Sequence, residues 1–193
     1  MVRLDRFDNR WYDCGRSLLV QSLWYFGGLA VLRCNWMPSS MVRRWLLRVF
    51  GAQIGRGVVL KPGLRVKYPW HFTVGDYAWV GEDVWIDNHT TVAIGSHSCI
   101  SQGAYLGTGN HDWSDTNFGL ILKPISIGSG AWVGAKAVIC PGVVLHEGSV
   151  VTAGSVATKS VPAFEIFTGN PATFSKKRVI RRSNERPSIK RAL

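Results

Sequence analysis

The chain has five histidines, at 71, 89, 97, 111 and 146, and four cysteines, at 14, 34, 99 and 140. No two cysteines form a C-x-x-C pair, and no two histidines stand at H-x-x-x-x-H spacing, so zinc and dithiol chemistry lack their usual spacings. One histidine stands out by its company. His111 opens the polar, aromatic stretch Asn110-His111-Asp112-Trp113-Ser114-Asp115-Thr116-Asn117-Phe118-Gly119. An imidazole with a pKa near 6.5 can take a proton from a hydroxyl around neutrality, which is general base chemistry. Asp112 and Asp115 are both near enough in sequence to orient it, and spacing does not choose between them.

The elements that must hold His111 show a period. Aliphatic residues recur every six positions: Ile54, Leu60, Val66; Val74, Val80, Ile86; Ile94, Ile100, Leu106; then Ile127, Val133, Ile139; Leu145, Val151, Ala157. Glycine follows many of them. Four positions on lies a small or β-branched residue in most repeats, such as Ala78, Ser98, Ala104, Ala131 and Ser155; Leu64, Trp70 and Asn110 are the exceptions. A period of six suits a short strand followed by a corner. Three such units make one triangular coil, with aliphatic residues stacking at roughly 4.8 Å between coils. The glycines are expected to relieve crowding and to allow unusual φ at the turns. Fifteen phased repeats make an ordinary sandwich of short strands a poor alternative. Val74 and Ile94 are twenty apart, so a corner there holds two extra residues. Between Leu106 and Ile127 the period breaks for twenty-one residues, and a loop over 107–124 leaves the prism with His111 at its mouth.

This pattern resembles the hexapeptide-repeat left-handed β-helix family over residues 54–161. Three anchors sharpen the resemblance towards the WcaF-like acetyltransferases of colanic acid and exopolysaccharide synthesis: Ile100-Ser101-Gln102-Gly103-Ala104-Tyr105, His111-Asp112-Trp113, and Gly169-Asn170-Pro171-Ala172. The resemblance implies an all-β solenoid, a left-handed parallel β-helix of about five coils forming a homotrimer. It also implies transfer of acetyl from acetyl-CoA to a sugar hydroxyl, with His111 as general base and no covalent intermediate or metal. Asn88 aligns with the family's sugar-contacting asparagine; Asp87 and Trp113 are further acceptor candidates. By the same resemblance Trp132 and the Ala135 amide flank the coenzyme's thiol end, and the Ala153 amide holds its arm. Lys159 reaches its phosphates, Asn170 and Pro171 pack near its adenine, and Lys176, Lys177 or Arg178 add charge. Trp132 and Ala135 read equally as repeat filling, and the basic tail as a solvated run. An amino-sugar amine or an antibiotic is the alternative acceptor. A γ-type carbonic anhydrase, which shares the prism, lacks its histidine spacing here, and a non-enzymatic scaffold would not need the His-bearing loop. Cys99 and Cys140 fall inside the coils as small apolar fillers.

Charge separates the flanks from the prism. The chain carries a net +11. Residues 1–51 hold eight basic and three acidic side chains, residues 175–193 eight and one, and the stretch between them seven and eight. Basic ends around a near-neutral body fit an anionic cofactor or an anionic membrane surface better than a nucleic acid. Three parts follow: a helical flank (1–52), the β-helix (53–162), and a coenzyme-contacting segment with a basic tail that is expected to begin as a helix (163–193). Pro38-Ser39-Ser40 caps a helix over 41–50, with Val42, Trp45, Leu46 and Val49 on one face and Arg43, Arg44 and Arg48 turned away. That helix either covers the open end of the prism or lies on a membrane surface. The apolar run Leu18–Leu32, at fifteen residues, is shorter than the roughly 20 needed to span a bilayer and reads as a buried or interfacial helix. Nothing resembles a secretory signal, so a cytoplasmic location with free thiols is expected, with peripheral contact at the membrane's inner face left open. The acceptor is a sugar, free or lipid-linked.

Overall fold

A computed structural model describes residues 1–36 and 39–181. Pro38 and the tail 182–193 lie outside the described residues. The repeat is realised in register on three parallel sheets. On the first, Ile54, Val74, Ile94, Ile127 and Leu145 pair in succession, and Val161 bridges Leu145 to begin a sixth coil. On the second the stack is Leu60, Val80, Ile100, Val133 and Val151. On the third it is Val66, Ile86, Leu106, Ile139 and Ala157. All fifteen are buried. Each large aliphatic side chain removed from water contributes about 1.5–3 kcal/mol, so the stacked column is the principal source of stability. The small corner residues are buried beside it, including Ala78, Ser98, Ala104, Ala131, Ala137 and Ser155. The prism is a left-handed parallel β-helix of five full coils and part of a sixth.

The glycines after the aliphatic positions work by close approach rather than by unusual φ. A Cβ at Gly134 would stand 2.4 Å from the Ala153 backbone nitrogen of the next coil. The left-handed φ falls two residues later, on Gly57 and Gly154 but also on Tyr77, Asp83, His97 and Lys136. His97 is thus a corner residue, with its ring stacked on Tyr77 at 5.3 Å.

The N-terminal helix runs unbroken through Leu18–Ser22, the π-helical Leu23–Gly28 and Leu29–Arg33. Only Trp24, Gly28 and Leu32 are buried along it, a narrow stripe at four-residue spacing. Trp24 donates its indole N–H to the Val66 carbonyl at 3.1 Å. The second helix, Ser40–Val49, is capped as expected: the Ser39 hydroxyl accepts from the Val42 N–H. Its inward face differs from expectation. Arg43, Leu46 and Leu47 are buried, whereas Trp45 and Val49 are exposed. The end of a β-helix leaves carbonyl oxygens without a next coil to pair with, and guanidinium groups supply the donors. Arg44 donates to the Val58 carbonyl; Arg48 donates to the carbonyls of Ile54 at 3.1 Å and Gly55 at 3.0 Å. Buried Arg43 donates to the carbonyls of Leu32 and Cys34, closing the first helix. Of the basic side chains expected to turn away from the packed face, Arg44 and Arg48 seat this helix on the prism and Arg43 ties it to the first helix.

The segment after the prism also differs from expectation. Glu165–Gly169 joins the second sheet beside Val150–Val151, and Ala172–Lys177 folds back antiparallel to it. The tail therefore begins as a strand, not a helix.

Candidate active site

One corner of the prism, between the third and first sheets, departs from the repeat in three successive coils. In the first coil it carries Lys67 to His71, in the second Asp87 to Thr91, and in the third the long excursion. That excursion is a β-hairpin, Gly109–His111 against Leu120–Leu122, rather than an irregular loop. His111 pairs across it with Leu120. Its Nδ1 lies 2.9 Å from the Phe118 carbonyl oxygen, and its ring stacks on the Phe118 ring at 4.3 Å and 4°. A carbonyl only accepts, so Nδ1 carries the proton and Nε2 keeps its lone pair. Phe118 adopts a left-handed φ of 53°, a conformation uncommon for a bulky residue and the turn that aims its carbonyl at the imidazole. Neither aspartate orients His111. Asp112 accepts from the amide and hydroxyl of Ser114, which lower its pKa, and Asp115 accepts from the Asn117 amide.

A cavity of about 580 Å3 opens beside His111, with Lys67, Tyr68, Asp87, His89 and Gly109 on the prism side. The other wall is the N-terminal segment, through Phe7, Asn9, Tyr12, Asp13 and Cys14. Phe7 meets the His111 ring edge-on at 5.4 Å. Tyr12 donates its hydroxyl to the His89 carbonyl at 2.8 Å, and the Arg3 N–H donates to the Thr116 carbonyl at the hairpin tip. His71 helps tie this segment down, with its Nε2 at 2.9 Å from the Cys14 carbonyl.

The cavity holds a second histidine with a different state. Lys67 Nζ stands 2.7 Å from His89 Nε2 and 3.2 Å from Asp87 Oδ1. An ammonium only donates, so its bond to His89 uses the Nε2 lone pair. Burial, and then the Lys67 charge, push the His89 pKa down. Tyr105 also donates to Asp87, at 3.0 Å, and burial first and the Asp87 charge second push its hydroxyl up to about 12. Of the two imidazoles, His89 has its Nε2 lone pair engaged by Lys67, whereas the His111 bond to Phe118 uses Nδ1.

The candidates read from sequence divide. Asp87 lines the cavity. Asn88 does not: it is fully buried, accepting from the Tyr68 N–H at 3.1 Å and donating to the Tyr68 carbonyl, so it fixes the corner rather than reaching an acceptor. Trp113 is 76% exposed and also outside the cavity wall. The coenzyme candidates lie elsewhere. Trp132 is on the second sheet, with its indole N–H donating to the Ser101 hydroxyl at 2.9 Å. Ala135 and Ala153 are stacked turns at the corner between the second and third sheets, joined by Gly154 N–H to the Ala135 carbonyl. Gly169 N–H donates to Ser155 Oγ, which brings exposed Asn170 and Pro171, joined by a cis bond, to the same corner. Lys159 is exposed on the corner that carries His111 two coils away. Two basic groups are engaged: Lys177 pairs with Glu165, and Arg178 donates to the carbonyls of Gly130 and Gly148. Burial pushes the Cys140 thiol up, which suits a filler. Among the described residues, no three His, Cys, Asp or Glu side chains gather closely enough to hold a metal.

Sequence reasoning missed Lys67, Tyr68, His89 and the whole N-terminal wall. A signal for the first three was present. Ile54 to Val74 and Val74 to Ile94 each span twenty residues, so the two corners stacked next to the hairpin are both long.

Comparison with known proteins agrees with this architecture. The chain is 41% identical over 167 residues to the putative colanic acid biosynthesis acetyltransferase WcaF of Escherichia coli K12, covering 86% of this chain and 90% of that one. The chain belongs to the hexapeptide-repeat acetyltransferases. It is 31% identical to the galactoside O-acetyltransferase of Escherichia coli K12, over 77% of this chain and 73% of that protein. A hexapeptide-repeat acetyltransferase of Vibrio cholerae superposes with a TM-score of 0.75 at 25% identity, covering 83% of this chain and 93% of that one. The same Vibrio protein has been solved in complex with acetyl-CoA. No family model matches the chain. This acetyltransferase therefore shares its parallel β-helix with the solved Vibrio protein.

Proposed function

We propose that this acetyltransferase moves an acetyl group from acetyl-CoA to a hydroxyl of a sugar acceptor bound beside His111, in the formation of an exopolysaccharide. The observation that carries the reading is the bond from His111 Nδ1 to the Phe118 carbonyl. It leaves Nε2 to act as the base, on a residue that lines a cavity large enough for a sugar. His111 Nε2 takes the hydroxyl proton as the oxygen attacks the thioester carbonyl. The Phe118 carbonyl and ring face the imidazolium that forms, and both favour a cation. Collapse of the tetrahedral adduct breaks the carbon–sulfur bond, and the imidazolium returns the proton to the departing thiolate. Asp87, held between Lys67 and Tyr105, supplies a carboxylate to the sugar's other hydroxyls.

The coenzyme reading rests on the turns at Ala135 and Ala153 and on Asn170, with Trp132 beside them. These stand one corner away from His111, and the third sheet lies between. A full side of the prism is six residues, at most roughly 20 Å. A homotrimer brings the coenzyme corner of one prism beside the His111 corner of the next. Trp79 and Trp132 lie outward and nearly half exposed on the second sheet, an apolar face of the kind such contacts need. The site would work in the cytoplasm, where acetyl-CoA is made. Transfer of radiolabelled acetyl from acetyl-CoA to a panel of sugars, amino sugars and lipid-linked glycans tests the reading. Label released by hydroxylamine identifies an O-ester; label retained as an amide on amino sugars alone would overturn it.

A further inference from the structure

The N-terminal helix is apolar on far more of its surface than it buries. Against the stripe of Trp24, Gly28 and Leu32 stand Leu18, Leu19, Leu23, Tyr25 and Phe26, all more than half exposed. Helix Ser40–Val49, seated on the same end of the prism, turns Met41, Trp45 and Val49 outward as well, and Trp36 between the two helices is 86% exposed. A soluble monomer rarely leaves a contiguous apolar face of this size uncovered. The charge at the ends of the helix has one sign. Arg16 and Arg33, both exposed, bracket it, and the chain has no acidic residue between Asp13 and Asp76.

We infer that this face docks on an anionic lipid surface. The helix runs sixteen residues, about 24 Å at 1.5 Å per residue, and no described helix is long and apolar enough to cross a membrane. An apolar helix bracketed by arginine, with aromatic residues among its exposed side chains, lies in the plane of the headgroups rather than through them. A second copy of the chain is a poor occupant, because it would bring the same exposed arginines, Arg16 and Arg33, together. Anionic headgroups complement them.

The placement has a consequence for the site. A groove of about 940 Å3 separates the helix from the outer face of the third sheet, where Arg65 and Trp85 form its floor. Gln21, Lys67, Tyr68 and Asp87 line both this groove and the cavity beside His111. Docking by the helix thus sets the mouth of the His111 cavity at the lipid surface. This extends the proposed reaction without depending on it, since binding is measured without turnover.

The test is flotation of the full-length protein with vesicles of phosphatidylglycerol or of phosphatidylcholine at low salt. Leu19→Asn/Leu23→Asn changes two exposed side chains that line neither cavity. The intact protein is expected to float with phosphatidylglycerol and not with phosphatidylcholine, and to be released by salt. The double variant should bind about tenfold or more weakly while keeping its melting temperature and its activity on a soluble acceptor. Equal binding to both lipids, or none to either, overturns the inference. So does a double variant that binds as before while its sedimentation shifts to a smaller assembly, which would make the face a contact between copies.

Discussion

The same corner of the prism is built in two ways. In the fourth and fifth coils it is a short turn, Cys140 to Val143 and Thr158 to Ser160, and the aliphatic stack continues beneath it undisturbed. In the first three coils it lengthens, and each lengthening delivers one part of the site: Lys67 with Tyr68, Asp87 with His89, and the hairpin with His111. The lower corner shows what the repeat needs for stability, and the upper corner shows what can be added once the repeat is satisfied. Stability and chemistry should therefore separate by coil.

The largest effect expected is at the upper corner. His111→Ala should lower turnover by roughly 10²–10⁴-fold, the usual worth of general acid–base catalysis, and leave the melting temperature unchanged because its contacts are with the hairpin and segment 1–14. A variant that is folded and fully active would remove His111 from the mechanism. The converse lies in the stack. Leu145→Ala, buried in the fifth coil, should cost about 2–5 kcal/mol of stability, read from denaturant unfolding. Its turnover per folded molecule should be unchanged; a catalytic loss on the scale of His111→Ala would show the two regions to be coupled.

The repeat was legible because burial in this fold recurs at the same positions of every six, and each aliphatic side chain meets its own equivalent in the next coil. The hairpin was legible as a break in that period. The partner of His111 was not, because a backbone carbonyl has no residue signature: the sequence offers Asp112 and Asp115, and the bond goes to Phe118. Asn88 illustrates the opposite failure. Its type suits a sugar contact, but its depth in the corner turns both ends of its amide onto Tyr68. On the second helix, side-chain polarity misled in the same way. Arg44 and Arg48 face the prism and Arg43 the end of the first helix because both are rich in carbonyl acceptors, a demand that apolar periodicity does not register.

A smaller effect tests the wall that no motif announced. Phe7 touches His111 only by its ring edge, a contact worth about 0.5–1.5 kcal/mol. Phe7→Ala should slow turnover by about two- to tenfold on that scale, with the KM for acetyl-CoA unchanged. Phe7→Tyr, which keeps the ring, should restore the rate. A loss confined to thermal stability would make segment 1–14 a cover and nothing more.

The smallest effect separates the two imidazoles of the cavity by pH. The pKa of His89 is held below its ordinary value of 6.5 by burial and then by Lys67. The unfolded chain therefore binds the His89 proton at a higher pH than the folded chain does. Between the folded and unfolded values, unfolding takes up a proton, so acid favours the unfolded state. The stability associated with neutral His89 is complete above about 6.5 and falls as pH drops towards the folded value. Melting temperatures measured across that range should decline on the acid side, and His89→Gln, which cannot take up a proton, should flatten the decline. His111→Ala should leave most of it in place, since the His89 shift has burial and Lys67 as its leading causes and His111 as its least. An acid decline that survives His89→Gln but disappears in His111→Ala would reverse the assignment of the neutral, lysine-bound imidazole and the free base.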